Sequence, residues 1–137
     1  MKPTAEIKQS IIENAEEIRR LHARIDETFA LRKTGEKAHE SWQAACREFH
    51  QRYDSLAFPG GFEGAYQRIL NGERNAIEAG LCFLEVRPYF FRSGYMYKDL
   101  VRKLKRAPLT PAQQSRFDQF LLALQRWKDS KRNTDPD

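Results

Sequence analysis

The stretch TGEKAHESWQAACREFHQRYDSL, Thr34 to Leu56, decides what kind of chain this is. Within it His39, Trp42, Cys46, Phe49, Tyr53 and Leu56 follow steps of three, four, three, four and three. That spacing keeps one stripe of a helix against one neighbour, and no strand-like alternation of period two competes with it. Just upstream, Ile11, Ile18 and Ile25 recur every seven residues, with Asn14, Leu21 and Thr28 at the intermediate step. The connection from Thr34 to Lys37 is short, so the two helices are expected to form an antiparallel hairpin with Trp42 in its seam. Each helix exceeds about twenty residues, enough to extend past the rest of a domain and to pair with the hairpin of a second copy as a homodimer.

Working outward, FPGG at Phe58 to Gly61 reads as a turn, and Phe62, Tyr66, Ile69 and Leu70 mark a short third helix that ends at Asn71-Gly72. Ile77, Gly80, Leu81 and Leu84 mark a fourth, in which Gly80 allows close helix approach. Pro88 and Ser93-Gly94 frame an irregular bend before a fifth helix. The sixth has the clearest start: Thr110 as N-cap, Pro111 at the first position and Gln113 placed to close a capping box. Its apolar face is Phe117, Phe120, Leu121, Leu124 and Trp127. The expected fold is therefore all-α, with about six helices in a single domain over residues 1–137. A long N-terminal antiparallel helical hairpin, 1–57, packs with a C-terminal bundle of shorter helices, 62–129, and the tail 130–137, SKRNTDPD, lacks an apolar anchor and is expected to fray.

A chain of 137 residues suits one domain that buries roughly two thirds of the surface its unfolded form exposes. Its apolar runs are too short for a membrane span or a secretory signal, and the N-terminal MKPTAEIKQSII reads as a helix start, so a cytoplasmic location is expected. Cys46 and Cys82 then read as reduced thiols, with a single disulfide as the other option.

Charge is distributed unevenly. Residues 1–86 hold 12 basic and 14 acidic side chains, and residues 107–137 hold five and four. The stretch RPYFFRSGYMYKDLVRKLKRAP, Arg87 to Pro108, holds seven cations, one acid and five aromatics, so the net charge of +5 is local to it. On a helix starting near Ser93 or Gly94, Met96, Tyr97, Leu100, Val101 and Leu104 share one arc, and Lys98, Arg102, Lys103, Lys105 and Arg106 the other. The ordinary account is a solvated face on an amphipathic helix. The sharper one is an acid-binding surface made by Arg87, Tyr89, Phe90, Arg92, Tyr95, Lys98, Arg102, Lys105 and Arg106.

The pattern from Ala76 to Leu109, a helix followed by FLEVRP and YFFRSGYMYKDLVRKLKRAPL, resembles one helical pair of small uncharacterised bacterial all-helical proteins with a HEAT-like character. The resemblance covers about a quarter of the chain and implies stacked helix pairs and a binding role, since such repeats present surfaces rather than reactive groups. A second copy of the pattern is absent.

Few residues suggest chemistry. Cys46 and His50, four apart, can place two zinc ligands on one helix face, with His22 or a carboxylate of the first helix needed to complete a set. Cys46 shares its stripe with Trp42 and Phe49, where a small buried thiol is the simpler expectation, and no metal or cofactor is expected. PGGFEG lacks the lysine and hydroxyl of a phosphate-binding loop, and nothing local would activate a nucleophile. The expected function is a non-catalytic cytoplasmic interaction module, an adaptor or immunity-type protein, that binds an acidic partner protein through the basic helix and aromatic bend. The alternative is a nucleic-acid-binding protein that contacts phosphates through the same face.

Overall fold

Helix α1, Thr4–Leu31, and helix α2, Glu36–Ala57, form the N-terminal hairpin in the computed structural model of the protein, which describes residues 3–134. Four more helices follow: α3, Ala65–Leu70; α4, Arg74–Val86; α5, Ser93–Arg106; and α6, Pro111–Thr134. Among the described residues there is no strand, as the helical periods require. None of these helices is long and apolar enough to cross a membrane.

The hairpin is covered unevenly. Ile7, Ile11, Ala15, Ile18 and Leu21 are buried, and α1 packs against both α2 and α4. Beyond Leu21 no residue of α1 is buried, and before Ala45 none of α2 is. In that distal half the two helices cover only each other's facing stripes, so the seam is thin. Trp42, expected in the seam, is half-buried there and meets Phe29 edge-on at 5.9 Å, while Arg32 lies 3.5 Å over the Phe29 ring. Phe29 and Leu31 are exposed at the tip.

Helix α4 is the centre of the molecule. Nine consecutive residues, Ala76 to Leu84, are buried, so the helix is covered all round rather than along one stripe. α1, α3, α5 and α6 surround it. Gly80 marks the closest approach: a Cβ there would stand 3.4 Å from Ile69 Cδ1 and 3.6 Å from Leu104 Cδ1.

Burial on every side traps a carboxylate. Glu78 is only 6% exposed, and it accepts two hydrogen bonds from Arg116 Nη1, at 2.7 and 2.8 Å, and one from Thr4 Oγ1 at 2.7 Å. The other edge of the guanidinium donates to Glu85, which Lys8 also approaches at 3.5 Å. One arginine thus joins α6 to α4, and one carboxylate joins both to the first turn of α1. Burial alone would push the Glu78 carboxyl up, but the hydrogen bonds from Arg116 and Thr4 outweigh it and hold the group below its ordinary value.

Helix α6 begins as its sequence dictates: the Thr110 N–H donates to Gln113 Oε1 at 3.0 Å, and the Gln113 N–H donates to Thr110 Oγ1 at 3.2 Å. Its 24 residues place it between α2, with 22, and α1, with 28. Of the tail expected to fray, residues 130–134 continue helix α6 to Thr134, with Lys131 and Arg132 favourably placed at its negative end, and residues 135–137 lie outside the described residues. A helix already nucleated by its cap and by the Arg116 anchor adds further turns at little cost, which the absence of an apolar anchor does not reverse.

Arg116→Ala leaves Glu78 buried without its cation and should cost about 3 kcal/mol in denaturant unfolding at neutral pH. The pH dependence separates this from lost packing. In the wild type the lowered Glu78 pKa adds stability above its ordinary value of 4.5, lost as pH falls through the lower folded value. In the variant burial raises that pKa, so acidification protonates the stranded carboxyl and relieves it. The gap between the two proteins should therefore begin to narrow above pH 4.5, as the variant's raised carboxyl takes up its proton, and go on narrowing below it as the wild type loses its own contribution. A gap independent of pH would assign the loss to packing.

Candidate binding groove

The segment between α4 and α5 folds back on itself and is fixed at each end by an arginine in the left-handed region. Arg87 has φ 51°, and its N–H donates to the Phe83 carbonyl at 2.8 Å, ending α4. Arg92 has φ 70°, and its carbonyl accepts from the Met96 N–H at 3.3 Å, opening α5. These are the two non-glycine residues with positive φ among the described residues. Between them Phe90 and Ser93 exchange hydrogen bonds: the Phe90 N–H donates to Ser93 Oγ at 3.0 Å, and the Ser93 N–H donates to the Phe90 carbonyl at 2.9 Å.

The hairpin holds this bend from outside. Arg19 Nη1 donates to the Tyr89 carbonyl at 2.6 Å, and the Tyr53 hydroxyl donates to the Phe91 carbonyl at 2.8 Å. Phe90 drives inward and meets Phe83 and Tyr53 edge-on at 6.1 and 6.2 Å. Phe91 is capped by His22, stacked at 5.3 Å, and by the edge of Phe49. Phe90, expected from the sequence to be a surface contact, is only 6% exposed; it touches the groove from beneath, as the peg that seats the bend. The reason is periodicity: the irregular backbone turns successive side chains in unlike directions, which no helical wheel describes.

The bend, α5, α6 and the middle of α1 enclose an open groove of about 1410 Å³. From the expected set, Arg87, Arg92, Lys98, Arg102 and Lys105 line it. Tyr89 and Tyr95 stand at it as well, 80% and 73% exposed. Arg106 does not line it, because one residue past Lys105 the helix has turned by about 100°. Two further cations enter from distant parts of the chain, Arg19 of α1 and Lys128 of α6, so seven basic side chains face one acid, Asp26.

The floor is carbon. Val101 and Tyr97 of α5 lie beside Leu124 and Trp127 of α6. The Arg87 guanidinium sits between two of these rings, 4.8 Å from Tyr97 and 5.2 Å from Trp127. Burial pushes the Tyr97 phenol up, with Arg87 pulling the other way, so the ring is neutral. Trp127, grouped by spacing with the apolar face of the last helix, is 46% exposed because α6 runs past the core at that point. Arg19, Leu124, Trp127 and Lys128 were not predicted as site residues; only Trp127, a large apolar residue near a helix end, carried any local signal.

The residues considered for chemistry do not converge. His39 and His50 are exposed, Cys46 is half-buried, and among the described residues no three of His, Cys, Asp and Glu lie together as a metal-ligand set. Both cysteines are free. Burial pushes the Cys82 thiol up, away from a reactive thiolate, despite the Arg116 nitrogen at 3.4 Å. Comparison with protein families, curated proteins and solved structures finds no match for this chain.

An L-residue in the left-handed region carries about 1 kcal/mol of strain that glycine would not. Arg92→Gly and Arg92→Ala lose the same guanidinium, 5.2 Å from the Phe91 ring, and differ only in the backbone. The glycine variant should be the more stable of the two by about 1 kcal/mol on denaturant unfolding. Equal midpoints would place Arg92 outside the left-handed region.

Proposed function

We propose that the protein is a non-catalytic interaction module, of adaptor or immunity type, that binds an acidic partner protein in the groove. The observation that carries this is the convergence of seven cations and one acid around an apolar floor, drawn from three separated segments of the chain. Both strained residues are arginines that line the groove, and strain of this kind collects where function, not stability, chooses the residue. An exposed ion pair contributes only about 0.2–1 kcal/mol, so the charges set selectivity and association rate while the floor supplies most of the affinity. A cytoplasmic setting accords with the two free thiols.

The second reading, nucleic acid, is favoured by Tyr89 and Tyr95, which stand exposed beside cations as stacking platforms do. The first is preferred because the cations gather in one groove rather than along a track. Exposed Phe29 and Leu31 at the hairpin tip support pairing of two copies there, which sedimentation analysis reads directly.

Replacing Lys98, Arg102 and Lys105 together by Glu should abolish partner capture from the native cell while moving stability by no more than about 0.5 kcal/mol per site. Capture by the wild type should survive nuclease and weaken with added salt, since exposed charges are screened over about 8 Å at physiological ionic strength. Capture that disappears with nuclease would favour the second reading, and undiminished capture by the variant would return α5 to an amphipathic helix with a wet side.

A further inference from the structure

We infer that the occupant of the groove is an amphipathic helix, with its acids in one row and its apolar residues in the adjacent row, docked lengthwise along α5. The inference rests on the reading of the groove as a site for an acidic protein, and it specifies the shape of the segment bound.

The geometry comes from α5. Lys98, Arg102 and Lys105 are all exposed and stand at i, i+4 and i+7 of one continuous helix, a ladder about 10 Å long. Tyr97 and Val101 lie about a quarter-turn around the same helix and face the groove with Leu124 and Trp127 of α6. The wall is therefore cationic and the floor beside it apolar, in two parallel rows.

A second helix has the same rise per residue as α5. Acids at i, i+4 and i+7 on it fall opposite the three cations, and an apolar row a quarter-turn away reaches Val101 and Leu124. An extended segment cannot do this. Its same-face side chains repeat about every 6.7 Å, so a ladder about 10 Å long falls one and a half repeats along and sends an acid to the wrong face. Arg102 already has one acid near it, Asp99 at 3.9 Å, but both groups are exposed and the contact is long, so the guanidinium can re-pair.

The test uses the full chain and three fluorescent probes in anisotropy titrations. The first is a lactam-stapled helical peptide of about 18 residues, five turns, with Glu at i, i+4 and i+7 beside a Leu row. The second is a stapled isomer of the same composition with the Glu row on the face opposite the Leu row. The third is a single-stranded oligonucleotide of similar length. The matched peptide should bind at least about tenfold more tightly than the isomer, and the triple Glu variant of Lys98, Arg102 and Lys105 should lose that preference. Equal affinity for the two peptides, abolished in the triple variant, would overturn the helix while leaving the acid-binding groove in place. Tighter binding of the oligonucleotide than of either peptide would overturn both the helix and the protein partner. Failure of all three probes would overturn the groove itself.

Discussion

From Ala76 to Leu84 helix α4 has no solvent face, and the remaining elements are arranged to satisfy that constraint. A helix buried along one stripe can be covered by a single neighbour; one buried from Ala76 to Leu84 without interruption needs helices all round it. α1, α3, α5 and α6 supply the cover. The glycine in its middle brings Ile69 and Leu104 close, and the carboxylate of Glu78 has to be met inside the protein. Arg116 and Thr4 meet it, so the start of the first helix and the first turns of the last are held by the same polar contact. Such a pair is weak as a source of net stability and strong as a specification, because a displaced α6 would strand a charge in the core.

That specification reaches the groove. Fixing α6 on α4 through Arg116 sets where Leu124 and Trp127 emerge, two to three turns further along the same helix. The end of α4 sets where Arg87 leaves the helix, and Phe90, seated against Phe83, sets the start of α5. The hairpin adds two hydrogen bonds to the backbone of the bend from Arg19 and Tyr53. The groove is thus assembled on ordered helices and a pinned turn, which lowers the conformational entropy lost when a ligand binds.

Its electrostatics follow from the same packing. The cations of α5 are opposed by Asp99 on their own helix, and the groove as a whole by Asp26, while Glu17, the acid nearest Arg19 in sequence, is already held by Arg20 and Arg52. Those hydrogen bonds keep the Glu17 carboxyl down to about 2, so it stays ionised and engaged with its own arginines. Of the acids on the groove side of the hairpin, Asp26 lines the groove, while Glu17 is committed to Arg20 and Arg52.

The sequence by itself determined the six helices, the hairpin, the capping box of α6 and the local excess of charge between Arg87 and Arg106, because each of these depends on neighbours within a few turns. Period and cap chemistry are local, and local rules sufficed. The all-round burial of α4 was decided by tertiary structure: Ile77, Leu81 and Leu84 marked one stripe, and only the packing of four helices revealed that Glu78 lies inside. So was the inward turn of Phe90, since an irregular bend has no period to project. Trp42 occupied its stripe as its spacing required, yet half of the hairpin has no third helix to cover it, and spacing carries no information about where a neighbour ends. Arg19, Trp127 and Lys128 joined the groove from positions far from the basic stretch, because side chains are brought together across the chain by the helices that carry them and not by their order along it.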